Sequence, residues 1–309
     1  MKKANSTQKS FYRAAKVILP SIFGAACVYY IITAFEWTEI WRTLREVDVW
    51  LFLASSVSAT LVFWFLRTVR WKILLKDENL RIPFFRLYLY TAITVGFANF
   101  TPFQSFEAYK VELFRKYGGE RFSGYNYFFL EKLFDLAVIS TLALFSVFVL
   151  FEFGGGNRLQ LAIAGLTAAL IVSAAAIVLI LKKQAGRGRL VAPKFANLAA
   201  AFVITLLSWA AMIFGWHFIF QSAAINLSFA QTASVISLTT IISILSFVPG
   251  AVGVSEISIA AMLSQIGYEK VAAQTGAMLI AVYSLVILIL SVVHLVILKK
   301  IKTADNKTF

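Results

Sequence analysis

The chain has 309 residues, 60% of them hydrophobic and only 14% charged, with a net charge of +14; soluble domains run at about 45–50% apolar and about 25% charged. A mean hydropathy of +0.80 excludes an ordinary soluble domain and points to a polytopic membrane protein. The basic excess then reads as an orientation signal, because Lys and Arg gather in cytoplasmic loops, and secondarily as contact with anionic headgroups. Membrane lipids, not nucleic acid, are the expected partners.

Residues 1–16 carry Lys2, Lys3, Lys9, Arg13 and Lys16 and no acid, which places the N-terminus in the cytoplasm. A first span is expected at about 17–35. It has no small-residue cleavage pattern after it, so it reads as retained and not as a removed signal peptide. The following loop, with Glu36, Glu39, Glu46 and Asp48 against Arg42 and Arg45, fits the outer side. Span two, about 49–66, ends in Arg67, Arg70 and Lys72, followed by Lys76, Arg81 and Arg86.

The apolar run 84–100 stops at Asn99, Thr101 and Pro102, and a helical stretch over 103–114 leads into Lys110, Arg115, Lys116 and Arg121. A full crossing at 84–100 would put that second basic cluster outside. A run that turns at Pro102 and comes back keeps it cytoplasmic, so a re-entrant hairpin is expected, with its irregular backbone surrounded by protein or water. Spans follow at about 125–150, 159–181 and 196–220. The run 230–248, the break Pro249, Gly250 and Gly253, and the arm 254–266 form a second hairpin, entered from outside. Span six, about 271–298, returns to Lys299, Lys300 and Lys302, which makes the C-terminus cytoplasmic as well.

The expected fold is therefore all-α, with about six full spans plus two re-entrant helical hairpins. The alternative is eight ordinary helices, two of which contain prolines. Each half, about 17–150 and 159–298, reads as span, span, hairpin, span. Three crossings per half make the second half inverted relative to the first. Interrupted segments at matching positions of inverted repeats mark the binding site of secondary transporters.

Four polar clusters stand out. Arg67 and Arg70 share a helix face beside Trp71; they fit either a bidentate clamp on a lipid phosphate or interfacial anchoring. Asn99 and Thr101-Pro102 precede Glu107 and Lys110, with Thr101 as N-cap and Pro102 at the first helical position, a helix start that favours anions; the plainer reading is a Glu107–Lys110 pair. Glu131 and Asp135 lie one turn apart and need a cation between them, for which Arg67, Arg70 or Lys110 is the natural partner; a structural ion network is expected, with a proton relay as the alternative. Glu256 is the only charged residue between 195 and 268. It follows the Pro249–Gly253 break, in the first turn of the returning arm where the helix dipole favours an acid, and it is open to binding a cationic group, carrying a proton, pairing with a basic residue of the other half, or a purely structural role.

Catalysis and cofactors have no visible carrier. Cys27 is the only cysteine, and His217 and His294 stand alone on apolar segments, where packing roles are expected. No P-loop, nucleophile elbow, dinucleotide turn or metal-ligand spacing is present, so no cofactor and no metal are expected.

In this order and spacing the four clusters resemble the lysylphosphatidylglycerol synthase transmembrane family, also described as flippase-like. The matching residues are Arg67-x-x-Arg70-Trp71, Asn99-x-x-Pro102 with Glu107 and Lys110, Glu131-Lys132-x-x-Asp135, and Pro249-Gly250-x-x-Gly253-x-x-Glu256. The departures are Phe106, where the family usually has glycine, lysine for arginine at Lys110 and Lys132, and Gly250-Ala251 where it has a glycine pair. Lysine keeps the charge but loses the bidentate fork.

The resemblance implies one flippase-like transmembrane domain over the whole chain, in the inner membrane, that translocates or binds a lipid. The candidates are an anionic or aminoacylated phospholipid or a polyprenyl-phosphate lipid, together with a membrane enzyme that makes or uses it. Only about ten residues follow span six, so aminoacyl transfer is not expected of this chain. Two other readings stay open: an accessory or transferase subunit for polyprenyl-linked glycans, and a small-solute transporter. The oligomeric state is not legible.

Overall fold

The structure is a computed structural model that describes residues 20–78, 80–119, 121–150, 168 and 194–305. The expected fourth span, the basic N-terminus and most of the basic loop after that span lie outside these residues. Among the described residues the chain is helical throughout, without strands. The helices are α1 (Pro20–Ala34), α2 (Trp37–Leu44), α3 (Val49–Leu74), α4 (Phe84–Ala98), α5 (Lys110–Lys116), α6 (Arg121–Leu150), α7 (Phe195–Gln221), α8 (Phe229–Ser246), α9 (Val254–Ile266) and α10 (Lys270–Asp305). Two 3-10 turns, Pro102–Tyr109 and Pro249–Ala251, sit at the expected breaks.

Four of these helices, α3, α7, α8 and α10, are long and apolar enough to cross a bilayer, five crossings if the bent pair α1–α2 counts as one. At about 1.5 Å per residue, the 26 residues of α3 reach about 39 Å, beyond the roughly 30 Å hydrocarbon core. The 15 residues of α4 and the 13 of α9 reach only about 20–22 Å and do not cross alone. Apolar side chains face outward along the long helices, among them Leu206 and Phe214 on α7 and Leu285, Ile289 and Val293 on α10. Such a surface is costly in water and matched by lipid. The protein is a multi-pass membrane protein.

Local chemistry accounts for the helix starts. The Asp48 side chain accepts from the Leu51 N–H at 2.9 Å and caps α3. Ser228 and Gln231 form a reciprocal capping box on α8. Residues 36–48, expected as an outer loop, instead contain the amphipathic helix α2, bent 82° from α1. Its apolar side, with Ile40 fully buried, lies on the bundle while Trp41 is exposed, as suits a helix lying along an interface. The junction between α1 and α2 is tied to α10, where Gln274 Oε1 accepts from the Glu36 N–H at 2.9 Å.

Small residues set the helix crossings. On α7, a Cβ at Gly215 would lie 2.4 Å from Ala59 Cβ of α3. On α4, a Cβ at Gly96 would fall 2.7 Å from Ser291 Cβ of α10. His294, one turn further along α10, packs edge-on to Trp64 and reaches the Tyr88 hydroxyl at 3.2 Å, and His217 stacks on Phe229. Both histidines sit in packing environments.

At both breaks non-glycine residues take left-handed backbone: Gln104 (φ 52°) at the first, Phe247 (φ 58°) and Ala251 (φ 49°) at the second. Gly250 and Gly253, at φ 67° and 84°, supply the remaining positive angles of the second break.

Gly96→Ala is expected to destabilise the fold by about 1–3 kcal/mol, seen as a lower unfolding temperature in detergent, and Ser291→Gly in the same chain should recover most of it. An unchanged unfolding temperature for Gly96→Ala would refute the close α4–α10 approach.

Candidate functional site

Arg67 and Arg70 lie on one face of α3, one turn apart, and α6 presents Glu131, Lys132 and Asp135 to that face. The first break delivers Glu107 and Lys110 between them, and α7 adds Thr205 and Trp209 from the second half of the chain. Arg67 Nη1 donates to both Glu107 oxygens at 3.1 Å, and its Nη2 donates to Asp135 Oδ2 at 2.5 Å. Arg70 Nη2 donates to Glu131 Oε1 at 2.5 Å, while its Nη1 donates to Asp135 Oδ1 at 2.8 Å and to Thr205 Oγ1 at 2.9 Å. Arg70 therefore lies between the two acids of α6, and Arg67 also reaches both, with its Nη1 3.6 Å from Glu131 Oε1.

Lys110 Nζ donates to Glu131 Oε2 at 2.9 Å and to Glu107 Oε2 at 3.3 Å. Lys132 Nζ donates to Glu107 Oε1 and to Gln104 Oε1, both at 2.8 Å. Two indoles complete the shell: Trp71 Nε1–H donates to Glu131, and Trp209 Nε1–H donates to Asp135 Oδ1 at 3.2 Å. Arg67 also lies over the Phe63 ring at 4.6 Å, and Lys110 over Trp71 at 5.1 Å.

The cluster is dry. Arg70 and Glu131 have no exposed surface, and Glu107 and Lys110 are 1% exposed. Along the helices it is a layer between two apolar clusters, one containing Trp64, Val138 and Trp209 and the other Trp71, Tyr127 and Ala201. Isolated ions at such a depth would cost several kcal/mol each, so pairing and hydrogen bonding are obligatory. Among the described residues the network holds four cations against three carboxylates. The Nε–H groups of Arg67 and Arg70 find no acceptor there.

The remaining candidates stand apart. Glu256 is half-buried, and its Oε2 accepts from the Gly253 N–H at 2.6 Å, which caps the first turn of α9. No basic side chain among the described residues pairs with it, and no hydrogen bond or ion pair links it to the network. Asn99 contributes its backbone: a Cβ at Gly250 would lie 3.2 Å from the Asn99 carbonyl oxygen and 3.6 Å from Phe100 Cα. The two breaks therefore touch. On the other side of the second break, a Cβ at Gly253 would fall 2.6 Å from Cys27 Cβ of α1, so glycine is needed there for space as well as for φ.

Thr101 stands at the start of the first turn with extended backbone, and its hydroxyl accepts from the Phe106 N–H at 3.2 Å. What begins at Pro102 is a 3-10 turn that passes into α5, not one continuous helix over 103–114. Sequence reasoning missed Gln104, Thr205 and Trp209 and gave Lys132 no site role of its own. Thr205 and Trp209 are i,i+4 on an uncharged apolar helix, and only that shared face marked them.

A family model described as the lysylphosphatidylglycerol synthase TM region matches residues 17–291, so the chain belongs to that family. No curated protein matches it.

Asp135→Ala leaves Arg67 and Arg70 short of an acceptor and is expected to cost about 3–5 kcal/mol of stability in detergent unfolding. Arg42→Ala, which breaks the exposed pair with Glu39, should change stability by about 0–1 kcal/mol. Equal effects of the two substitutions would show that the network does not hold the bundle.

Proposed function

We propose that this protein binds an amphiphilic lipid by its phosphate at the buried ion network and carries the headgroup between leaflets. The observation that carries the reading is the charge balance of that network. Four cations face three carboxylates, and two guanidinium N–H groups point at no acceptor among the described residues. A lipid phosphate has the sign and the acceptor oxygens to complete the set, and guanidinium forks match its geometry. Membership of the family supports lipid handling in general terms.

Glu107 is the pivot of the mechanism. It is the one carboxylate of the network on a broken segment, and Arg67, Lys110 and Lys132 all bond to it. When that segment moves, Glu107 leaves Arg67 and Lys132, and two cations are uncovered for one phosphate, while Glu131 and Asp135 stay on α6 to hold Arg70. An aminoacylated headgroup brings its own ammonium, which the released Glu107 pairs with. An anionic phospholipid or a polyprenyl phosphate uses the cations alone. The left-handed Gln104, bonded to Lys132, lies in the same segment and stores strain that such a movement relaxes.

In this reading the two halves form an inverted repeat of six spans and two re-entrant segments, with the termini in the cytoplasm and the site beneath the contact between the breaks. The shortness of α4 and α9 and the approach of Gly250 to Asn99 support it. Glu256 then acts as the fixed cap of the second break and not as a phosphate or amine ligand. The lipid comes from, or goes to, a membrane enzyme that modifies it.

Reconstitution into vesicles with labelled phosphatidylglycerol, aminoacyl phosphatidylglycerol and a polyprenyl phosphate tests the proposal by leaflet exchange. The wild type should accelerate exchange of at least one. Arg67→Lys, which keeps the charge and loses the fork, should slow it about tenfold, the worth of one charge-assisted hydrogen bond. Exchange no faster than in protein-free vesicles for every lipid would end the reading.

A further inference from the structure

Among the described residues the ion network carries one positive charge more than its carboxylates cancel, and the geometry shows where that charge resides. Arg70 lies against Glu131 and Asp135, Lys110 against Glu131 and Glu107, and Arg67 against Glu107 and Asp135. Each of these cations has at least two carboxylates. Lys132 has one, Glu107, and shares it with Arg67 and Lys110. Its second partner is the neutral amide of Gln104, whose Oε1 lies 2.8 Å from Nζ. An ammonium only donates, so the amide is held with its oxygen toward the lysine. An acid at that position would close the balance, and the chain has glutamine there.

Exposure points to the same residue. The Lys132 side chain is 24% exposed, while those of Arg67, Arg70 and Lys110 are at 4% or less. Its Nζ finds acceptors at Glu107 and Gln104 among the described residues, which leaves one of the three ammonium N–H bonds over. Both acceptors belong to the 3-10 turn of the first break. The excess charge therefore sits at the one cation of the network that a ligand meets without first unpacking the bundle.

In a dry site the sum of the charges decides, because a charge left over is not repaid by water. A phosphodiester lipid with an uncharged head brings one negative charge and closes the balance. A zwitterionic lipid leaves the excess in place, and a lysyl head adds to it. Pairing an ammonium with the released Glu107 rearranges the charges but does not change their sum.

We propose that Lys132 and Gln104 set the selectivity of this site, so that its cargo is a singly anionic phosphodiester lipid and zwitterionic and aminoacylated lipids are rejected. The proposal rests on the reading of the network as the lipid site and narrows its cargo. Lys132 meets the phosphate first, which there replaces a neutral amide and breaks no ion pair. Arg67 follows when Glu107 leaves.

Native mass spectrometry of the full chain with phosphatidylglycerol, phosphatidylcholine or lysyl phosphatidylglycerol compares anionic, neutral and cationic lipids. The wild type should bind phosphatidylglycerol about tenfold or more tighter than the other two. Gln104→Glu keeps the shape of the amide and supplies the missing negative charge. It should weaken phosphatidylglycerol binding about tenfold, with the unfolding temperature unchanged or raised. Gln104→Leu removes the same hydrogen bond without adding charge and should keep the preference. Lys132→Gln, at a partly exposed position, should erase it.

Equal binding of all three lipids by the wild type would overturn the proposal, as would a preference that survives both Gln104→Glu and Lys132→Gln. Loss of the preference in Gln104→Leu would trace it to the hydrogen bond and overturn it too. Displacement of phosphatidylglycerol by inorganic phosphate at equal concentration would assign the charge to a free anion and not to lipid. Leaflet exchange separates this proposal from the transport reading. Exchange of all three lipids at one rate would keep transport and end the selectivity, whereas selective binding without exchange would keep the selectivity and end transport.

Discussion

A charge inside a lipid-embedded bundle has no water to turn to, and the architecture here follows from that constraint. Arg67 and Arg70 on α3 could not stay in the interior without Glu131 and Asp135 of α6, nor could those acids stay without the arginines. The network fixes how α3 and α6 face each other and where the first break must end, because Glu107 and Lys110 belong to it. It also joins the halves of the chain, since Thr205 and Trp209 of α7 satisfy donors and acceptors that the first half leaves over. Apolar packing by itself discriminates little between helix arrangements in lipid, where tails and leucines are equally apolar. Geometry at this level comes from polar groups that tolerate only one set of partners.

The breaks are the second determinant, and they solve a different problem. Short helices that stop inside the bundle leave backbone groups exposed, and these must meet protein. The Asn99 turn meets the Gly250 turn, and the second break is closed on its other side by α1 at Cys27. Such approaches need glycine at the contact, and the turns carry left-handed residues that ordinary helices lack. One of these left-handed residues, Gln104, lies on the 3-10 turn that carries the carboxylate shared by three cations. Rigid long helices thus hold two acids in place while a strained segment holds the third. That division of roles gives the proposed site a part able to move and a part able to wait.

Much was legible before any coordinates. The spacing of apolar runs marked α3, α6, α7 and α10, and proline and glycine marked both breaks to within a residue or two. The pairing of Glu131 and Asp135 with a cation followed from helical geometry, as two acids one turn apart repel. Other features were out of reach. The sequence places Glu256 in the first turn of the arm but leaves open what compensates its burial, and the partner proves to be the N–H of Gly253 and not a basic side chain. Residues 36–48 read as a loop because their charges are dense, although those charges alternate with the apolar side of an interfacial helix.

The sequence by itself determined the class of protein, several of its long apolar helices, the two interruptions and the inventory of charged groups that lipid would not tolerate alone. Each of these is a local property, set by the length of an apolar run or the backbone limits of one residue. Which arginine meets which acid, the entry of Thr205 and Trp209, and the contact of Gly250 with Asn99 were decided only by the tertiary structure. Positions such as Arg70 and Thr205 are far apart along the chain, and every charge in the network had several partners of the right sign. Packing the small residues Ala59 and Gly215 together brought α7 against α3 and, with it, selected one pairing from many.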